Sequence, residues 1–166
     1  YKLNVKVARY HNIFGPMGTW KGGKEKAPAA MCRKVAEALD EVEVWGDGGQ
    51  TRSFMYIDEC IESTIRFMRQ DSFRGPVNIG SDEMVTINEL AQMSINISGK
   101  NNLKIKNIHG DDFYRKYGFM CPIGVMGRNS DNRLFKEKMG WVSEAKLLDG
   151  MKNTFSWIKA QVDHEV

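Results

Sequence analysis

Cysteine is scarce and scattered in this chain. The three cysteines, Cys32, Cys60 and Cys121, are odd in number, widely spaced and form no Cys-x-x-Cys pair. This pattern excludes a disulfide scaffold and predicts reduced thiols, as in a cytoplasmic protein.

Long apolar runs and strong charge are missing as well. No apolar stretch approaches the length that spans a membrane, and the N-terminus has no signal-peptide core. The net charge is only +3, which does not argue for nucleic acid but fits a small anionic ligand held by a few lysines. The histidines lack the spacing of metal ligands. We therefore expect no membrane segment, no nucleic-acid partner and no metal site.

The chain contains a regular alternation of strand-like and helix-like segments. Valine-rich alternating runs predict strands, and amphipathic runs with capping signals predict helices. The 166 residues are enough for one domain with its own core, and the class is α/β. Strands are predicted near residues 3–9, 41–46, 52–57, 76–80 and 103–109, and helices near 27–39, 59–70, 87–98, 132–139 and 147–162.

Several local signals support the ends of these helices. Pro28 suits a first helical turn, because its missing N–H would be unpaired there. Thr86 and Glu89 form a capping box. We expect Asp58 to cap the second helix, and Gly140 to close the fourth.

The loop before the first helix contains glycines and lysines at the spacing of a nucleotide-binding P-loop, from Gly18 to Lys24. A P-loop needs Ser or Thr after the lysine to hold magnesium, but Glu25 follows here, and the helix begins several residues too late. The N-terminus of that helix still offers free N–H groups and the positive end of a dipole beside lysines. We therefore expect an anion to bind there by a different arrangement.

Five longer segments carry a resemblance to a known family. The segments "RYHNIFGP", "GDGGQTRSFMYIDEC" and "NIGSDE" resemble the extended short-chain dehydrogenase/reductases that act on nucleotide-sugars. The segments "GTWKGGKEKAPAAMCRK" and "GRNSDN" are specific to a smaller group and are similar to those of the GDP-mannose 3,5-epimerases. The resemblance covers nearly the whole chain, yet only the C-terminal half of such an enzyme.

The resemblance implies a fold and a division of labour. Residues 1–166 would be the C-terminal, sugar-nucleotide-binding portion of a Rossmann-type enzyme, with remnant strands of the NAD-domain sheet near 3–9 and 77–79. The family binds NAD through a GxGxxG turn and oxidises with a Tyr-x-x-x-Lys pair, and neither motif occurs in this sequence. Since the chain begins without an initiator methionine, we expect it to be part of a longer protein, cytoplasmic and homodimeric when whole, with NAD bound mainly by an upstream part.

The resemblance also implies the chemistry and the residues that perform it. NAD takes hydride from C4 of the mannose, the resulting ketone acidifies the protons at C3 and C5, and an acid/base pair exchanges them. Lys26 matches one member of that pair, and the other is a cysteine upstream of this chain, so Cys32 is not that group. The residues that match substrate-binding positions are Asn12, Glu25, Lys26, Ala27, Lys34, Gln50, Thr51, Arg52 and Arg128.

One segment departs from the family pattern. Residues 109–127 look longer than expected, and Met126 stands where a basic residue is expected. Two alternatives therefore stay open: another nucleotide-sugar epimerase, decarboxylase or dehydratase of the same superfamily, or a non-catalytic fragment that only binds nucleotide-sugar.

Overall fold

The computed structural model of the protein describes residues 3–122 and 124–165. It confirms the α/β class: short, mostly parallel strands alternate with helices along the chain. The strands are β1 (Ala8–Tyr10), β2 (Ile13–Phe14), β3 (Glu41–Trp45), β4 (Thr51–Ser53), β5 (Met55–Tyr56), β6 (Val77–Ile79), β7 (Met84–Thr86), β8 (Lys104–Ile108) and β9 (Gly127–Arg128). The helices are α1 (Ala27–Glu37), α2 (Ile57–Arg69), α3 (Ile87–Ser98), α4 (Gly110–Tyr117), α5 (Arg133–Met139) and α6 (Leu147–Glu165).

The strands form small sheets in which neighbouring strands are not consecutive in the sequence. β1 pairs with β6, β2 with β5, and β3 with β8, each in parallel. β4 lies between β7, which is antiparallel to it, and β9, which is parallel to it. Parallel strands bury both faces, and the helices supply this cover.

Two apolar clusters hold these layers together. The larger cluster joins α1, α3 and α6 to β3, and includes Val35, Val44, Leu90 and Ile158, all fully buried. The smaller cluster lies under α2 and α5. Among the described residues, no helix is long and apolar enough to cross a membrane.

The predicted helix signals hold at α1 and α3 but not at α2. Pro28 lies in the first turn of α1, and the capping box at α3 is complete, since the backbone N–H of Glu89 donates to Thr86 Oγ1 at 3.0 Å. The prediction for Asp58 is wrong: α2 begins at Ile57, so Asp58 lies inside the first turn. Its carboxylate interacts favourably there with the positive end of the helix dipole, but it does not cap the helix.

Two strand predictions need correction. The strand expected near 3–9 runs only over Ala8–Tyr10, because its partner β6 is three residues long and pairs with just those positions. The strand expected over 52–57 is divided into β4 and β5, which pair with different neighbours. The break between the two strands falls at buried Phe54, and α2 begins at Ile57.

Lys100 caps the end of α1 from another part of the chain. Its ammonium donates to the carbonyls of Val35, Ala36 and Ala38 at 3.1, 2.7 and 2.9 Å. These are the carbonyls that a helix end leaves without helical partners. Lys100 therefore fixes the end of the helix whose beginning faces the candidate site described below.

Lys100→Met is expected to lower the free energy of unfolding by about 1–3 kcal/mol, because half-buried carbonyls lose a charged donor. Urea unfolding of this variant beside wild type measures the difference. Lys104→Met, which changes an exposed lysine nearby on β8, serves as the control and is expected to change stability by less than about 0.5 kcal/mol. Equal stability of the two variants would show that the three contacts contribute nothing.

Candidate functional site

The carboxyl ends of β1 and β6 meet at one edge of their parallel sheet, which is where open α/β sheets bind ligands. His11 and Asn12 follow β1 there, and Gly80 follows β6. A Cβ on Gly80 would lie 2.6 Å from the Cβ of Ser130 and 2.9 Å from the Cβ of His11. Only glycine lets these segments approach so closely.

Three cations of the predicted site act on His11. Burial lowers the pKa of His11 most, and the charges of Arg128, Lys26 and Arg52 lower it further. His11 is therefore neutral at neutral pH. The three cations, called the cation cluster below, come from separate parts of the sequence and together create a field that attracts an anion.

The two arginines of this cluster are neighbours by strand register. Arg52 on β4 is paired directly with Arg128 on the parallel strand β9. The N–H of Thr51 donates to the carbonyl of Met126 at 2.8 Å and fixes this register. A Cβ on Gly124 would lie 3.2 Å from Arg52 Nη2, so the chain before β9 passes close to that guanidinium. Neighbouring guanidinium groups suit a diphosphate, which each can grip with two hydrogen bonds.

Asn12 is held in an unusual conformation beside this cluster. Its φ is 48°, in the left-handed region that few residues other than glycine adopt. Its amide nitrogen donates to the carbonyl of Ser53 at 3.0 Å and lies 3.3 Å from His11 Nε2. A neutral His11 with its proton on Nδ1 can accept from that amide, so His11 and Ser53 together orient Asn12.

Lys26 stands at the start of α1. It occupies the N-cap position with no side-chain cap bond, its side chain is exposed, and the first turn of the helix contains no acidic residue. The amine is therefore free to meet a ligand that the helix N-terminus attracts. The preceding Glu25 instead turns back into the loop, where it accepts from the N–H of Gly23 at 2.7 Å and from Arg33 at 3.3 Å.

A cleft of about 630 Å³ runs along α1. Glu25, Ala27 and Lys34 line it, together with Trp45 and Ile87. Lys34 Nζ donates to the carbonyl of Glu43 at 2.8 Å. Burial lowers the pKa of Lys34, and the Glu43 carboxylate opposes that effect.

Gln50 lies against Gly46 and the start of α3. Its side chain lies over Gly46, where a Cβ would be 3.0 Å from Gln50 Nε2, and its carbonyl accepts from the N–H of Ile87 at 3.1 Å. Thr51 and Arg52 follow directly on β4. The predicted site residues therefore fall into two groups. One group lies near His11 and contains Asn12, Lys26, Arg52 and Arg128. The other lines the cleft and contains Glu25, Ala27 and Lys34.

Cys32 is not part of this path. Its side chain is fully buried, and burial raises the pKa of its thiol to about 12. Such a thiol stays protonated and unreactive at neutral pH. This agrees with the expectation that Cys32 is not the catalytic cysteine of the resembled family.

Neither His11 nor Trp45 was among the predicted site residues. Trp45 is 39% exposed and forms a wall of the cleft. His11 could have been noticed, because it lies next to Asn12 in the "RYHNIFGP" motif. Trp20, in the loop before α1, packs against the larger apolar cluster.

Comparisons with known proteins identify the family of this chain. The model of the NAD dependent epimerase/dehydratase family matches residues 1–80. GDP-mannose 3,5-epimerase of Arabidopsis thaliana is 50% identical over 99% of this chain, and GDP-mannose 3,5-epimerase 1 of Oryza sativa subsp. indica is 51% identical over the same share. The chain belongs to the NAD-dependent epimerase/dehydratase family. It spans 40% of the length of each of these two relatives.

A solved structure has the same fold as this chain. The UDP-glucuronic acid 4-epimerase of Bacillus cereus, solved with UDP-glucuronic acid and NAD, superposes with a TM-score of 0.76 at 23% identity. The match covers 96% of this chain and 46% of that one. The resemblance predicted from the motifs, and the Rossmann-type extended fold class, are therefore confirmed.

Proposed function

We propose that the protein carrying this chain converts GDP-mannose to GDP-L-galactose by epimerisation at C3 and C5, and that this chain supplies the substrate-binding half. The observation that carries this function is the direct cross-strand pairing of Arg52 with Arg128, whose charges act together with that of Lys26 on neutral His11. Two curated relatives named GDP-mannose 3,5-epimerase, each at least 50% identical along the chain, support the choice of substrate.

The diphosphate of the nucleotide-sugar is assigned to the cation cluster. Arg52 and Arg128 face it as register neighbours, and the free N-terminus of α1 adds a favourable dipole. About two negative charges on the diphosphate would be balanced there by these guanidinium groups. The nucleoside would then extend into the cleft beside Lys34, with Gln50 and Thr51 along its path.

Lys26 is assigned the transfer of a proton to or from the sugar ring. Its side chain is exposed at the start of α1, and its charge acts on His11 at the sheet edge, so we place the sugar ring within reach of its amine. General acid/base catalysis needs a group on each face of the ring. Lys26 supplies one, and the second belongs to the polypeptide outside this chain. Asn12, oriented by His11 and Ser53, is placed to hydrogen-bond the sugar or phosphate.

NAD is assigned to that other polypeptide part. The sequence contains neither a GxGxxG turn nor a Tyr-x-x-x-Lys pair, so the residues of this chain do not form the usual dinucleotide cradle. The chain's own contribution is therefore substrate binding and proton transfer. For the whole enzyme we also propose a cytoplasmic homodimer, which rests on the family resemblance alone.

Incubating the full-length protein with GDP-mannose tests this function. We expect GDP-L-galactose to form, with incorporation of solvent deuterium at C3 and C5 detected by NMR. Turnover of a UDP-sugar without reaction of GDP-mannose would assign the protein to another activity of the superfamily. Binding of GDP-mannose without any turnover would indicate a binding protein.

A further inference from the structure

The segment that departs from the family pattern forms α4, and α4 packs against one wall of the cleft. Phe113 is fully buried, and its ring centroid lies 5.1 Å from that of Trp45 at an interplanar angle of 86°. The rings of Tyr117 and Phe119 lie 5.2 and 6.3 Å from Trp45. Edge-to-face contacts of this kind stabilise one ring orientation.

Glu43 ties the same helix to the same wall. Its carboxylate accepts from Trp45 Nε1 at 3.0 Å and from the Tyr117 hydroxyl and the Lys116 ammonium of α4. Its backbone carbonyl accepts from Lys34 Nζ, which lies 5.7 Å from the centroid of the Trp45 ring. One residue of β3 thus connects α4, Trp45 and Lys34.

We propose that α4 is a specificity element, which acts through Glu43 and its aromatic side chains to hold Trp45 as a stacking wall for the purine base of the nucleotide-sugar. Trp45, Phe113, Tyr117 and Glu43 are positioning or binding groups here and take no part in the proton transfer. This role rests on the proposed function, because it assumes a nucleotide in the cleft.

The chemistry of the cleft favours guanine over other bases. A two-ring purine covers more of the Trp45 face than a one-ring pyrimidine. Lys34 presents a donor beside that face, which suits the carbonyl of guanine and not the amino group that adenine has in its place. Because α4 fixes Trp45 before the ligand arrives, binding does not have to order the ring, and this raises affinity.

The double variant Lys116→Met/Tyr117→Phe tests the role of α4, since it removes both α4 partners of Glu43 and keeps the ring of Tyr117. In the full-length protein we expect the Kd for GDP, measured by titration calorimetry, to rise about five- to tenfold, with the Kd for UDP rising less than about twofold. We expect KM for GDP-mannose to rise by a similar factor with kcat unchanged. Lys106→Met is the matched control, because it breaks an ion pair with Glu41 between the same strands, away from Trp45.

Each outcome of this experiment supports or overturns the role of α4. If wild type binds no GDP, both the proposed function and the role of α4 are overturned. If wild type binds GDP and the double variant keeps the wild-type ratio of GDP to UDP affinity, only the role of α4 is overturned. A fall in kcat at constant KM would also overturn it. Should the double variant unfold, Tyr117→Phe alone applies the same test with the loss of one hydroxyl, and Trp45→Leu is expected to abolish the preference for GDP.

Discussion

In the full-length protein, Lys26→Ala is expected to abolish exchange of the C3 and C5 protons of GDP-mannose with solvent, while GDP-mannose still binds within about tenfold of wild type. The two effects separate because, in the proposed function, the amine transfers the proton, whereas the arginine pair and the cleft hold most of the ligand. The substitution spares the helix, since Lys26 makes no side-chain cap bond at the start of α1. Incubation in D₂O followed by NMR of the recovered sugar measures the exchange, and calorimetry measures the binding.

Lys24→Ala provides the matched control for this experiment. Lys24 is an exposed lysine of the same loop, two residues before Lys26, and its removal changes the net charge by the same amount. We expect this variant to exchange both protons at close to the wild-type rate. Normal exchange in the Lys26 variant would remove Lys26 from the chemistry. An equal loss in both variants would show that loop charge, and not one amine, is responsible.

Elements with strong local signals could be predicted from the sequence, and those that depend on distant partners could not. The capping box at Thr86 and the proline at Pro28 act within a single turn, so α3 and α1 form as expected. The alternation in residues 3–9 predicts a longer strand than exists, because the length of β1 depends on its partner β6. Leu3 is 75% exposed, so that alternation has no buried face to match.

The helix α4 was missed because its sequence resembles a loop. It begins at Gly110 and ends before Gly118, and few of its residues are apolar. Phe113 and Tyr117 are one turn apart and lie on one face, which is a helical signal. That signal is interpretable only when Trp45, far away in the sequence, is known to lie beneath them.

In the candidate site, too, local motifs predict the residues, whereas their arrangement depends on distant parts of the sequence. The motifs predict Arg52 and Arg128 separately. Their pairing depends on the register between β4 and β9, and the two residues are 76 positions apart in the sequence. The place of His11 among the cations likewise follows from tertiary packing, with Gly80 allowing the close approach. Local sequence patterns contain no information on such distances, so the site could be predicted as a set of residues and not as an arrangement.

Arg128→Lys is expected to weaken GDP-mannose binding about tenfold, and Arg128→Ala about 10- to 100-fold, because lysine keeps the charge but loses the two-bond grip on phosphate. Arg52→Lys is expected to behave in the same way, since the two side chains are register neighbours on β4 and β9. Calorimetric Kd values for GDP-mannose measure these changes. Arg133→Lys is the control, because Arg133 is an exposed arginine that pairs with Asp131, and we expect its variant to bind like wild type.

Combining Arg52→Lys with Arg128→Lys distinguishes a shared ligand from two separate surface charges. Two groups that hold one diphosphate are coupled, so the loss of binding in the double variant is expected to differ from the product of the single losses by at least about threefold. Independent charges would multiply. If the loss in the double variant equals the product of the two single losses, or if both single variants bind like wild type, the diphosphate lies elsewhere. The cation cluster near His11 would then have no proposed ligand.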